Sequence, residues 1–133
     1  MERGIYRNPD RGRQLLLFDG MQYGNITPSD LDGYIEYRDK GWVWVEAKVV
    51  GAELPTGQKL AMERFCNDMG KARKHAIAMV VEHSTEPWED VHLRDCIVRE
   101  LYWNGERRWR QPYRRITAKQ ATDSFLQKLA KDD

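Results

Sequence analysis

The feature that most constrains the fold is a pair of alternating apolar segments joined by a short turn. Residues 33–38 (GYIEYR) precede Asp39, Lys40 and Gly41, and residues 42–50 (WVWVEAKVV) follow them. The β-branched and aromatic side chains of both segments predict two strands, and the polar turn between them predicts an antiparallel hairpin. This hairpin is the starting point for the predicted fold.

The faces of the hairpin follow from the alternation of side chains along a strand. One face of the second strand is apolar and is expected to face the core, and the other carries tryptophans and charges: Val43, Val45, Ala47 and Val49 against Trp42, Trp44, Glu46 and Lys48. Ile35 on the first strand belongs with the valines. A three-residue loop over residues 39–41 sets Ile35 opposite Val45, and Gly41 suits the left-handed third position of such a loop.

Three charged side chains converge in that register, because Asp32 lies opposite Lys48 and diagonal to Glu46. Hydrolysis of a phosphodiester needs charge neutralisation and an activated water, which a divalent cation supplies. Asp32, Glu46 and the backbone carbonyl of Ala47 would offer oxygen ligands for Mg²⁺, and Mn²⁺ suits the same set. Lys48 would orient or activate the water. The alternative is an ordinary salt-bridged pair on a solvated sheet face.

The chain after the hairpin predicts a helix and then a buried strand. Thr56 is an expected N-cap for a helix through residues 58–74, with Leu60, Phe65 and Met69 as core contacts. The apolar run at 76–81 (AIAMVV) predicts an interior strand that a helical crossover would reach.

The last third of the chain predicts a second hairpin and a closing helix. Residues 91–103 and 108–113 would pair around a turn at Asn104-Gly105. Thr117 and Gln120 have capping-box spacing and open a helix to about residue 130, with apolar Phe125, Leu126 and Leu129. Residues 11–24 hold an apolar run too short to assign to a helix or a strand.

The whole sequence favours a single domain over residues 1–133, with an α/β fold in which helices flank a mixed sheet. No segment has the length of a membrane span or the pattern of a signal peptide, so a cytoplasmic protein with no membrane partner is expected. Cys66 and Cys96 lack zinc-ligand spacing and are expected to be reduced and structural. The net charge of +1 neither requires nor excludes nucleic acid.

The arginines are clustered rather than evenly spread. Arg3, Arg7, Arg11 and Arg13 lie near the N-terminus, and a second cluster interleaves arginines with aromatic rings. Phosphate contacts and base stacking by this second cluster would make it a DNA-binding segment, comprising Arg107, Arg108, Trp109, Arg110, Arg114 and Arg115. The alternative is a solvated strand edge, where arginine discourages edge pairing.

These motifs also carry a resemblance to a known family. Asp32, a spacer of thirteen residues and then Glu46-Ala47-Lys48 resemble the signature of the PD-(D/E)XK nuclease superfamily. The surrounding residues 25–48 (NITPSDLDGYIEYRDKGWVWVEAK) and 55–65 (PTGQKLAMERF) are similar to small phage-borne members and to VRR-type nucleases. The resemblance covers about residues 24–83.

The resemblance implies a restriction-endonuclease-like fold, here with an added C-terminal hairpin and helix, and cleavage of DNA to a 5′-phosphate and a 3′-hydroxyl. It implies that Asp32 and Glu46 bind metal, that Lys48 serves the nucleophile and that Gln58 supports the site from the start of the helix. The literal Pro-Asp pair is replaced by PSDLD at residues 28–32, which leaves Asp30 as an alternative ligand. Asp32 is preferred because it begins the strand.

Two other functions are compatible with the sequence. A nucleic-acid-binding module would keep the nuclease fold without turnover, and a protein-interaction domain would carry the charged strand face incidentally. For the nuclease, DNA is the expected partner, a symmetric dimer would let so small a chain hold two strands, and the resemblance suggests phage DNA recombination or repair.

Overall fold

The computed structural model describes residues 15–131, which fall into two units divided after Asp30. In the first unit, residues 15–30 contain turns and one isolated antiparallel bridge between Tyr23 and Ile26. The apolar run there therefore forms neither a helix nor a regular strand within its described part. The predictions for Arg3, Arg7, Arg11 and Arg13 lie outside the described residues.

The second unit has an α/β fold built on one five-stranded mixed sheet in the order β1-β2-β3-β4-β5. Strands β2 and β3 are parallel, and every other neighbouring pair is antiparallel. In chain order the elements are β1 Gly33–Tyr37, β2 Gly41–Val49, α1 Thr56–Lys71, β3 His75–His83, a 3₁₀ turn Leu93–Asp95, β4 Ile97–Trp103, β5 Arg108–Arg110 and α2 Ala118–Lys131. The predicted mixed sheet with flanking helices is confirmed.

The first hairpin forms as predicted, but its register differs by two residues. Ile35 lies opposite Val43 rather than Val45, and Tyr37 lies opposite Gly41. The connection therefore spans residues 38–40, and Gly41 is the first residue of β2 instead of the last residue of the loop. Because a shift of two preserves parity, each side chain stays on its predicted face.

Tertiary contacts explain the shift of this turn. A Cβ atom at residue 41 would meet the side chain of Leu129 at 2.6 Å and the carbonyl oxygen of His75 at 2.9 Å, so glycine is needed for close packing in the strand. The left-handed positions fall instead on Arg38 and Asp39, with φ of 48° and 62°. Lys74 fixes this arrangement by donating hydrogen bonds to the backbone carbonyl and the carboxylate of Asp39.

Each face of the sheet is covered by one helix. The valine face of β2 packs against Phe125, Leu129 and other apolar residues of α2. The opposite face, with Trp42 and Trp44, packs against α1 around the buried Met62 and Cys66. Trp42 and Trp44 therefore lie under a helix.

The inward face of α1 was only partly predicted. Phe65 and Met69 pack against the core beneath this helix, whereas Leu60 is 38% exposed and the fully buried residues are Met62 and Cys66. The predicted N-cap is also wrong, since Thr56 is the first helical residue, Pro55 precedes it and no side chain caps the helix.

The strand and helix predicted downstream agree better. Strand β3 contains all of residues 76–81 and runs parallel to β2 after the α1 crossover, as predicted. The capping box is confirmed in both directions: the backbone N–H of Thr117 donates to Gln120 Oε1 at 2.9 Å, and that of Gln120 donates to Thr117 Oγ1 at 3.1 Å.

The second hairpin is shorter than predicted. Its strands are β4 and β5, residues 93–95 form a 3₁₀ turn instead of a strand, and the connection is residues 104–107. Asn104 stabilises this connection from its side chain, which donates hydrogen bonds to the carbonyls of Cys66 and Lys74 at 2.9 Å. Among residues 15–131, no helix is long and apolar enough to cross a membrane.

Candidate active site

The candidate site lies on the α1-facing side of β2, beside the residue that precedes β1. Asp32 Oδ2 accepts a hydrogen bond of 2.8 Å from the backbone N–H of Ala47. The observed register, continued by one residue, places Asp32 opposite Glu46 rather than opposite Lys48. The shift therefore corrects the predicted arrangement and brings the two carboxylates closer together.

Glu46 is an acid in an unusual environment. It is only 1% exposed, and its Oε1 accepts a hydrogen bond of 2.8 Å from the indole N–H of Trp44. Burial raises the pKa of the Glu46 carboxyl, because desolvation disfavours the charged form. The hydrogen bond from Trp44 lowers this pKa in part, and the neighbouring charge of Asp32 raises it again. The carboxylates of Asp32 and Glu46 therefore repel each other when both are charged.

Lys48 follows on the same face of β2, opposite Glu82 of β3. Glu82 forms no ion pair with Lys48 among the described residues and instead accepts a hydrogen bond of 2.9 Å from Arg99. Within residues 15–131, Lys48 makes no ion pair with any acid, and neither Asp32 nor Glu46 has a basic partner. The arrangement thus lacks the salt bridge that the alternative of an ordinary surface ion pair required.

The donor atoms of this cluster are hard oxygens, which suit Mg²⁺ or Mn²⁺. Asp32 and Glu46 supply carboxylates. The N–H and C=O of one residue point to the same side of a strand, so the carbonyl of Ala47 lies on the Asp32 side of β2. In the described part of the chain no three His, Cys, Asp or Glu side chains converge on one cation site. A metal here would be held by two carboxylates, a backbone carbonyl and exogenous oxygens.

Gln58 and Asp30 are the two other residues that were predicted for the catalytic and metal site. Gln58 lies in the first turn of α1 and is half-buried, and its side chain makes no hydrogen bond among the described residues. Its neighbour Lys59 pairs with Glu100 on the same face of the sheet, at 2.8 Å. Asp30, the alternative ligand, is an exposed residue of the first unit, so the acid that the second unit itself sets beside Glu46 is Asp32.

Three functional candidates were missed by sequence reasoning. Trp44 holds Glu46, and the pair of Glu82 and Arg99 flanks Lys48. Trp44 shares parity with Glu46 two residues away, which was a usable signal. No such signal existed for Arg99, because it is the extra residue of a bulge in β4 where the pairing passes from Val80–Glu100 to Val81–Val98.

The arginine-rich segment lies around β5, at the edge of the sheet. Arg108 and Arg110 lie near Glu106, at 3.4 and 3.5 Å, and Arg107 forms part of the turn with a φ of 58°. Trp109 is half-buried, with its indole N–H donated to Glu63 at 2.6 Å. Arg114 and Arg115 are exposed and make no ion pair among the described residues. Four of the arginines are therefore exposed, Arg110 is half-buried, and Trp109 is engaged within the fold.

Comparison with protein-family models, with curated proteins and with solved structures gave no match.

Proposed function

We propose that this protein is a metal-dependent nuclease that hydrolyses DNA phosphodiester bonds, with Asp32 and Glu46 as metal ligands and Lys48 as the residue that serves the attacking water. The observation that carries the proposal is the pair of carboxylates formed by Asp32 and the buried Glu46 on neighbouring strands, which no basic side chain of residues 15–131 neutralises. We propose the cytoplasm as its location.

The electrostatics of the acid pair favour a cation. Two neighbouring carboxylates, one of them almost fully buried, are costly to ionise unless a positive charge compensates them. A divalent cation offers that compensation and would be held by Asp32, Glu46 and the carbonyl of Ala47. When bound, such a cation supplies Lewis-acid stabilisation of the phosphate and increases the acidity of water.

The residues around Asp32 and Glu46 have separate roles in the proposed site. The N–H of Ala47 fixes the orientation of Asp32, and the indole of Trp44 fixes Glu46, so both ligands are preorganised. Lys48 points to the same side of β2 and has no competing ion pair in the described chain. Its ammonium can therefore hold a water or a phosphate oxygen by hydrogen bonding.

DNA binding would draw on the accessible arginines at the edge of the sheet. Contacts from Arg107, Arg114 and Arg115 to phosphates would release counterions, so affinity should fall steeply as salt increases. Gln58 would support the substrate or the metal from the start of α1. A symmetric dimer would present two such sites to a duplex or a branched DNA, as expected for a phage protein of recombination or repair.

The test is cleavage of labelled duplex, single-stranded, flap and four-way-junction DNA in Mg²⁺, Mn²⁺ or EDTA. Wild type should cut at least one of these only with metal, and Lys48→Ala should reduce the rate by about 10²–10⁴-fold, the usual contribution of a group that transfers or positions a proton. Glu46→Gln should abolish metal-dependent cutting.

Matched controls are available for both substitutions. Lys119→Ala removes a lysine from α2, which covers the opposite face of the sheet, and Glu53→Gln makes the same change as Glu46→Gln at an exposed position. Both controls should cut like wild type. Equal loss in the controls and in the site variants would contradict the assignment.

A second candidate is a DNA-binding module with a nuclease fold and no turnover. The observation that favours it is the absence of a third converging acid among residues 15–131. A folded wild-type protein that binds DNA in a salt-dependent way and cuts nothing in the panel would establish this candidate over the nuclease. A protein that neither binds nor cuts DNA would support a protein-interaction role instead.

A further inference from the structure

An apolar hollow of about 230 Å³ lies on the same sheet face as the acid pair. It is lined by Leu31, Tyr34, Trp42, Trp44 and Phe65. The rings are tilted against one another and not stacked. The centroids of Tyr34 and Trp42 are 5.9 Å apart, and Phe65 packs edge-on against both tryptophans. Two members of the rim are exposed, since Tyr34 is 62% and Leu31 45% accessible. Aromatic surface therefore remains open to solvent here.

Trp44 connects the hollow to the acid pair. Trp44 contributes its ring to the hollow and its indole N–H to Glu46, at 2.8 Å. Tyr34 is paired with Trp44 and lies two residues from Asp32, which corresponds to about 7 Å along the strand. That spacing is comparable to the distance between a phosphate and the base of the same nucleotide. A nucleotide whose phosphate lies at the acid pair would thus have a base within reach of the hollow.

We infer that this hollow binds an unpaired nucleobase of the DNA strand whose phosphate lies at Asp32 and Glu46, an inference that rests on the proposed nuclease function. Aromatic side chains bind bases by stacking whatever the sequence, because every base has a π face. Bases of an intact duplex are already stacked and can enter only after extrusion, which costs free energy. The substrate class is therefore single-stranded DNA, or DNA with unpaired nucleotides next to the cleaved bond.

The experiment uses a fluorescein-labelled single-stranded oligonucleotide and a set of copies with one abasic nucleotide placed at each position in turn. Binding is measured by anisotropy in Ca²⁺, an oxygen-preferring divalent cation that would offset the charge of the acid pair, and cutting of the same oligonucleotides is measured in Mg²⁺. For wild type, loss of the base at one position should weaken binding by about 10-fold, the scale of one base stacked on an aromatic residue. If no position matters, the hollow does not bind a base and the inference is overturned.

Variants at Tyr34 locate the effect. Tyr34→Leu removes the ring from an exposed position and should bind the intact oligonucleotide about 10-fold more weakly than wild type, with no further loss at the abasic position. Tyr34→Phe keeps the ring and should behave like wild type. Circular dichroism and thermal melting establish that both variants are folded. Equal abasic penalties in wild type and Tyr34→Leu would overturn the inference.

The two proposals fail in different ways. Wild type that cuts the intact oligonucleotide in Mg²⁺ but shows no base-dependent binding retains the nuclease assignment and loses the hollow. Wild type that cuts nothing, while Tyr34→Leu abolishes a base-dependent affinity, refutes the nuclease and leaves a base-binding surface.

Discussion

Replacing Glu46 by glutamine separates a metal site from a merely buried acid. The substitution keeps the shape of the side chain and an oxygen that can accept the hydrogen bond from Trp44, and it removes the charge. If Asp32 and Glu46 hold a divalent cation, this change removes one of two carboxylate ligands. We therefore expect added Mg²⁺ or Mn²⁺ to stabilise wild type and to leave Glu46→Gln unchanged.

The expected shift in melting temperature follows from the linkage between metal binding and folding and from the length of the chain. A metal at about a hundred times its dissociation constant, binding only the folded state, adds about 2.7 kcal/mol to the free energy of unfolding. Unfolding entropy of about 2.1 cal/mol/K per residue gives about 0.28 kcal/mol/K for 133 residues. The melting temperature of wild type should therefore rise by about 10 °C, as measured by differential scanning calorimetry in a metal titration.

In the metal-free protein, the same substitution is expected to raise the stability of the fold. The pKa of Glu46 is raised above its ordinary value of 4.5, so the folded state holds the proton more tightly than the unfolded chain. The stability that Glu46 contributes is therefore fully present below about pH 4.5 and is lost as the pH rises through its raised folded-state pKa. In EDTA at pH 7, Glu46→Gln should be more stable than wild type, and the difference should shrink towards pH 4.

Glu53→Gln, at an exposed position, is the matched control and should change melting little in either condition. Equal metal-induced shifts in wild type and Glu46→Gln would refute the argument, because the cation would then bind elsewhere. A Glu46→Gln variant that melts below wild type in EDTA at pH 7 would refute the claim that burial makes this charge costly.

Three further predictions concern the fold. Gly41→Ala should lower the free energy of unfolding by about 1–3 kcal/mol, since its Cβ would clash with Leu129 and with the carbonyl of His75; unchanged thermal melting would contradict this. Phe125→Ala should cost about 3–5 kcal/mol in a urea titration, because this ring is 9% exposed in the core under α2; a loss below 1 kcal/mol would show that the core does not depend on it. Burial raises the pKa of Cys66 to about 12, so its alkylation by iodoacetamide at pH 8 should be about a thousandfold slower in the native protein than in urea; equal rates would mean that the thiol is accessible.

Features of the fold that depend on near neighbours in the sequence were predictable. The reciprocal bonds of Thr117 and Gln120 need only three intervening peptide units, and they form as expected. The faces of β2 follow from alternation alone, so Glu46 and Lys48 lie on the predicted side together with Asp32.

Features that depend on distant contacts were not predictable. The hairpin register is set by the packing of Gly41 against α2 and β3 and by the hydrogen bonds that Lys74 donates to Asp39. None of these contacts can be read from the hairpin sequence. The inward face of α1 is set by the sheet beneath it, which is why Met62 and not Leu60 is buried. The position of Glu82 opposite Lys48 could be predicted only from the parallel register of β2 with β3, which depends on contacts between distant residues.

The order of side chains along β2 determines the direction in which a DNA strand would lie across the proposed site. From the turn outwards, its α1-facing side carries Trp42, Trp44, Glu46 and Lys48, each about 7 Å from the next. An apolar residue in place of Glu46 would suit so buried a strand better, and local rules of this kind are broken mainly at functional sites. If the base lies at the tryptophans and the phosphate at Glu46, then Lys48 lies on the far side of the phosphate, where an attacking water must approach in line with a departing oxygen. A DNA strand would therefore bind along β2 in one 5′-to-3′ direction only. Abasic nucleotides should weaken binding only when they lie on one side of the cleaved bond.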